Sequence, residues 1–195
     1  MKFLELPENI RQKVIEINRY EWVDHDWWNY GADDSISDAL KGIGFTYFKV
    51  TGFDLDRGWN ATFEFRYEWN PEKPIDLMKI WTVEQDGVRV PQPELEEIHK
   101  LLNQAGVMMA CRDERFVIHG RDGEYDGAYD AYYSEEEDAD FCDSIVDLVD
   151  RALKECETFC LKVLEAVFEY LTSDGYIAEC LINMDCDYDE DGEEI

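Results

Sequence analysis

Positive charge is scarce in this chain. Against 47 Asp and Glu stand 18 Lys and Arg and 3 His, a formal net charge of −29 over 195 residues. Such a surface repels phosphate backbones and anionic headgroups, so direct binding to nucleic acid or to a membrane is not expected. Long apolar runs are missing too. No stretch of 18 apolar residues occurs, and Met1-Lys2-Phe3-Leu4-Glu5-Leu6-Pro7 lacks the apolar centre of a secretion signal, so a soluble, cytoplasmic protein is expected. The six cysteines (Cys111, Cys142, Cys156, Cys160, Cys180, Cys186) contain no CxxC pair, which argues against a zinc ribbon. They are expected as reduced thiols, buried as small apolar side chains. A zinc site from Cys156, Cys160, Cys180 and Cys186 stays open as the alternative, because a four-residue step puts two sulfurs on one helix face.

Catalytic signatures are absent as well. No P-loop, G-x-S-x-G, H-E-x-x-H or dinucleotide fingerprint is present, and Gly42-Ile43-Gly44 lacks both a third glycine and a preceding strand. His25, between Asp24 and Asp26 and beside Trp27-Trp28, reads better as a surface cap before an aromatic anchor than as a catalytic group. His119, before Gly120-Arg121, reads as an edge histidine. Asp187-x-Asp189-x-Asp191-Gly192 matches the first six positions of an EF-hand loop, but the bidentate Glu of position twelve would fall beyond Ile195, so no calcium site is expected. The expectation is a protein that is not an enzyme and carries no cofactor and no metal.

What is present is a core. Apolar residues make up 45% of the chain, with 6 Trp, 11 Tyr and 10 Phe, which excludes an acidic disordered chain. Helical spacing predicts a first helix over residues 7 to 22 (Ile10, Val14, Ile17, Tyr20) and a second through Ile36, Ala39 and Leu40, capped by Asp33, Asp34 or Ser35. From 45 to 53 and 59 to 69 the pattern turns to alternation, with Phe63, Phe65 and Tyr67 against Thr62, Glu64, Arg66 and Glu68, predicting two strands joined by a turn at 54 to 58. Residues 75 to 90 are ambiguous, with a short hairpin at Asp86-Gly87. A helix over 93 to 109 carries Leu95, Ile98, Leu101, Leu102 and Ala105, and residues 115 to 119 and 125 to 134 read as two more strands. Ser134 and Glu137 form a capping-box pattern that opens the longest helix, to about Thr172, with the stripe Phe141, Ile145, Leu148, Ala152, Cys156, Phe159, Val163, Val167 and Tyr170. A short helix over 176 to 183 follows. These elements predict an α+β fold: a small, mostly antiparallel sheet packed by helices, with a long C-terminal acidic helix. The organisation read is a single domain over 1 to 184, with 70 to 92 as a candidate insertion and 185 to 195 as an acidic tail.

The acidity is uneven. Residues 1 to 121 hold 15 basic and 22 acidic groups, net −7, whereas residues 122 to 195 hold 3 and 25, net −22. On the long helix, Asp140, Asp143, Asp147 and Asp150 form a second stripe opposite the apolar one, preceded by Glu135, Glu136, Glu137 and Asp138. Asp122, Glu124, Asp126 and Asp130 interleave with Tyr125, Tyr129, Tyr132 and Tyr133 just before. Like charges one turn apart destabilise a helix, and only Arg151, Lys154 and Lys162 are at hand to relieve them. A duplex also presents a regular row of anions on a stiff rod, and proteins that bind it do so with fixed cationic grooves. These twelve carboxylates are therefore the candidate partner-binding surface. A solvated acidic face that serves only solubility is the plainer alternative.

Several segments together carry a likeness. Trp27-Trp28 after the first helix, Thr51-Gly52-Phe53-Asp54 running into Asn60-Ala61-Thr62-Phe63-Glu64, His119-Gly120-Arg121, and residues 164 to 174 resemble a family of acidic proteins of tailed phages and prophages, some of them labelled antirestriction or antitoxin. The resemblance implies a phage protein acting in the host bacterial cytoplasm. Combined with the charge pattern, it leads to the expectation of a DNA mimic that blocks the basic groove of a host DNA- or RNA-binding defence protein, a restriction or CRISPR component. The alternatives left open are an antitoxin masking a basic toxin, and an acidic accessory protein without mimicry. A homodimer also stays open.

Overall fold

Aromatic and β-branched residues after Gly44 set the sheet. The computed structural model describes residues 1–23, 28, 32–55, 60–72, 84–85, 88–89, 93–112, 114–121, 124–127 and 139–195, with 84–85, 88–89 and 124–127 described by backbone alone. The chain divides into two compact units, Gly31–Leu164 and Met1–Tyr30 with Glu165–Ile195. The fold is α+β.

In the larger unit, β1 (Phe45–Asp54) and β2 (Asn60–Glu68) pair antiparallel, followed by β5 (Val117–Arg121) and β6 (Glu124–Gly127), in the sheet order β1-β2-β5-β6. β3 (Glu84–Gln85) and β4 (Val88–Arg89) form a separate two-stranded ribbon flanking residues 86 and 87. β2 alternates as the sequence predicts: Ala61, Phe63, Phe65 and Tyr67 are buried. β1 does not. Phe45 and Phe48 are both buried although three residues apart, because the register slips between Phe45 and Tyr47, where two residues of β1 face one of β2. That bulge turns Phe45 back to the inner face. There Phe45 meets Phe48, Phe65 and Tyr67 edge-on at ring centroid distances of 5.6, 6.1 and 5.3 Å, while Phe48 stacks on Phe63 at 4.9 Å. Such contacts add to burial and fix ring orientation.

Three helices serve this unit: α2 (Ala32–Gly42), α3 (Pro93–Ala110) and α4 (Ala139–Leu171), whose residues from Glu165 onward belong to the smaller unit. Asp33 and Asp34, expected as caps, lie inside the first turn of α2, where carboxylates suit the positive helix end. The Asp33 carboxylate accepts the Val50 N–H at 3.1 Å and so ties α2 to β1. The predicted stripe of α3 is buried throughout, and that of α4 is buried from Ile145 to Val163. Tyr170 departs from it and is exposed. The described part of the fourth strand ends at Gly127, and the proposed cap pair Ser134 and Glu137 lies outside the described residues.

In the smaller unit a 3₁₀ turn (Phe3–Glu5) leads into α1 (Glu8–Ile17), and α5 (Asp174–Met184) follows the end of α4. α1 is shorter than its periodicity suggests. The Asn18 side-chain amide and backbone N–H both donate to the Val14 carbonyl, at 2.8 and 3.2 Å, closing the helix and leaving Ile17 and Tyr20 exposed. Ser173 caps α5 by accepting the Tyr176 N–H. Phe3, Leu6, Val14, Ile15, Ile177, Leu181 and Tyr188 form the core. Residues 185–195, set apart in the sequence as an acidic tail, are built into this unit: Tyr188 is 4% exposed, meets Phe3 edge-on, and donates its N–H to the Met1 carbonyl at 2.8 Å. Gly192, at φ 82°, sits against Ile10 and Val14.

Candidate functional site

α4 positions the acidic row. Ile145, Val149, Ala152 and Cys156 are fully buried along one side, which fixes the helix and turns Asp140, Asp143, Asp147 and Asp150 outward, all exposed. With 100° of rotation and 1.5 Å of rise per residue, the four lie within about 80° of arc and span roughly 15 Å of axis. The Asp140 and Asp143 carboxylates make no ion pair or hydrogen bond among the described residues. Asp147 faces Arg151 one turn on, at 3.6 Å.

The bases after residue 121 give little relief to that row. Arg151 is shared with Glu97 of α3 at 4.0 Å, and Lys162 reaches Glu94 of α3 at 2.7 Å. Glu94 is only 12% exposed, so this pair locks α3 to α4. Between the two helices an open groove of about 540 Å³ runs along the row, lined by Gln104, Met108, Asp143, Asp147, Leu148 and Arg151. Met108 and Leu148 give it apolar floor beside two carboxylates.

No protein-family model, no curated protein and no solved structure matches this chain.

Of the twelve candidate residues, the structure brings together Asp140, Asp143, Asp147 and Asp150. Glu124 and Asp126 sit on β6, opposite Arg121 and His119 in the strand register, on a different element and next to basic positions. Asp122, Asp130, Glu135, Glu136, Glu137 and Asp138 lie outside the described residues, as do His25, Tyr129, Tyr132 and Tyr133. His119 is exposed on β5. Sequence reasoning took Glu94 and Glu97 only as charges suited to the positive end of the α3 dipole, and passed over Met108. The signal was present: Glu94 and Glu97 flank the apolar stripe of α3, where a packed neighbour can reach them.

The cysteines divide. Cys142, Cys156 and Cys160 are buried as expected, and burial pushes the Cys156 and Cys160 thiols up. Cys111 is exposed, since it follows the last residue of α3, and Cys180 and Cys186 are half-buried. Among the described residues no group of three or more His, Cys, Asp and Glu side chains is placed to hold a metal ion. No described helix is long and apolar enough to cross a membrane.

Proposed function

We propose that this chain is a phage-encoded DNA mimic: its acidic helix face occupies the basic groove of a host DNA- or RNA-binding defence protein, a restriction or CRISPR component, and blocks it. The observation that carries the reading is the row Asp140, Asp143, Asp147 and Asp150, exposed along one side of a helix whose other side is buried. A carboxylate row on a pre-ordered helix requires no ordering on binding, so more of its Coulomb attraction appears as affinity. Long-range attraction to a cationic groove makes association fast and salt-sensitive, because screening sets in over about 8 Å at physiological ionic strength. Met108 and Leu148, beside the row, supply contact that salt does not remove. The segments that resemble acidic phage proteins give the context, since a phage gains from blocking a host nuclease.

The test is affinity capture from a bacterial host lysate, followed by binding with purified partner. The expected partner is a nucleic-acid-binding protein that excess duplex oligonucleotide displaces. Changing the four aspartates to asparagine together should weaken binding by roughly tenfold to a hundredfold at low salt and flatten its salt dependence. Unchanged binding by that variant, or a partner that oligonucleotide does not displace, overturns the proposal. Capture of a small basic toxin assigns the antitoxin role instead.

A further inference from the structure

Away from the acidic row, β2 and α3 enclose a cavity of about 300 Å³ lined by Tyr67, Trp69, His99 and Asn103 among others. Its walls are held in place. The Trp69 indole closes directly on the α3 backbone at Gly106, where a Cβ would fall 2.2 Å from the ring. Glycine inside a helix is unfavourable, and here it is what admits the indole. Trp69 Nε1 donates to Asn103 Oδ1 at 2.9 Å, and its backbone N–H donates to the Phe116 carbonyl at 3.0 Å, so the ring is fixed from both ends. Tyr67 forms a second wall, only 3% exposed and pressed against Gly44, which at φ 120° leaves no room for a side chain: a Cβ there would lie 2.9 Å from the tyrosine ring.

His99 stands one turn before Asn103 on α3. Its Nδ1 is buried and has no hydrogen-bond partner among the described residues. Unmatched buried nitrogens are rare, and each needs a reason. His99 also lines the cavity, which places its imidazole within reach of a ligand there. Burial also lowers the His99 pKa, so the ring is neutral at neutral pH. Among the described residues no Lys or Arg lines the cavity, and the one carboxylate there, Glu68, is paired with Arg115. Among these residues neither an anion nor a cation finds an unpaired opposite charge.

We infer that this cavity binds a small, flat, neutral nitrogen heterocycle of one or two fused rings. The size sits at the lower end of small-molecule sites, about 300 to 1,000 Å³, and two aromatic walls favour a ring. A heterocycle with a ring nitrogen beside an N–H group offers both an acceptor and a donor, and so matches either tautomer of His99.

Long-range ¹⁵N–¹H spectra of the imidazoles test this on the full chain, which has only 3 His. The probes are adenine and cytosine as neutral heterocycles, benzamidine as a cationic ring and benzoate as an anionic one. His99→Gln assigns the His99 signals. The expected result is a saturable shift of the His99 nitrogens with adenine or cytosine, none at His25 or His119, and at least fivefold weaker binding in Asn103→Ala, which removes the acceptor that holds the Trp69 ring as a wall of the cavity. The inference is overturned if neither neutral probe gives a saturable His99 shift up to its solubility limit, if benzamidine or benzoate binds as well, or if Asn103→Ala leaves the affinity unchanged. An unmatched nitrogen that only water satisfies gives the first of these.

Discussion

Two acidic stretches of the chain put their carboxylates to opposite uses. Along residues 140 to 150 the carboxylates face solvent from a helix that is held by its other side. Along 185 to 194 they build structure. Asp189 accepts the backbone N–H groups of Asp191 and Glu193, both at 2.9 Å, and closes a turn. Asp185 and Asp187 pair with Lys2 at 3.3 and 3.4 Å. Acidity counted along a sequence therefore does not measure the acidity offered to a partner. What decides is whether local backbone donors or nearby bases engage the carboxylates first.

The comparison breaks most visibly if its structural half fails. Tyr188→Ala removes the one large buried apolar side chain of the C-terminal acidic stretch, and should cost about 3 to 5 kcal/mol by analogy with other buried aromatics, read as a lower thermal midpoint. Gly192→Ala forces a side chain into left-handed backbone and to within 2.8 Å of Ile10 and Val14, at a cost of about 1 to 3 kcal/mol in denaturant unfolding. Neither change should alter the binding of a partner to α4.

Acid sharpens the contrast. Backbone donation, first from Glu193, holds the Asp189 carboxyl below its ordinary value, and hydrogen bonds from Gln12 and Arg19 do the same for Asp174. For a group whose folded pKa is depressed, the added stability is present above the unfolded pKa, about 4, and is lost as pH falls through the lower folded value. Unfolding followed from pH 5 down to pH 2 should therefore show a loss of stability that is smaller in Asp189→Asn than in the unaltered chain. The smallest effect is expected on α4. Neutralising Asp140, Asp143, Asp147 and Asp150 should leave the unfolding free energy unchanged or raise it by about a few tenths of a kcal/mol, by relieving repulsion. A clear loss of stability would mean that those carboxylates also build structure.

The fold was largely legible because its elements obey simple periods. β2 alternates, and α3 and α4 carry their stripes. The misses have physical causes. α1 stops early because one asparagine amide takes a helix carbonyl. The C-terminal stretch looks like a tail because its structure rests on a single tyrosine, one glycine, backbone bonds and carboxylates that engage local donors and Lys2, none of which leaves a period in the sequence. Of the candidate site, the stripe on α4 was readable from spacing alone. Its neighbours on α3 were not, since which helix packs beside which is a property of the tertiary fold. Glu124 and Asp126 show the same limit: next to the acidic run in sequence, they are set beside Arg121 and His119 by strand register.

The bulge in β1 sets a counting rule for this strand. Loss of Thr46 would leave Phe45 and Phe48 two positions apart, as an unbroken strand requires, so the sheet could flatten locally and keep both rings inside. Loss of Lys49, only three positions on, would put Phe48 and Val50 on opposite sides. Length variation at the start of β1 is thus parity-limited, admissible at Thr46, where the strand already carries an odd residue, as it does again between Val50 and Gly52.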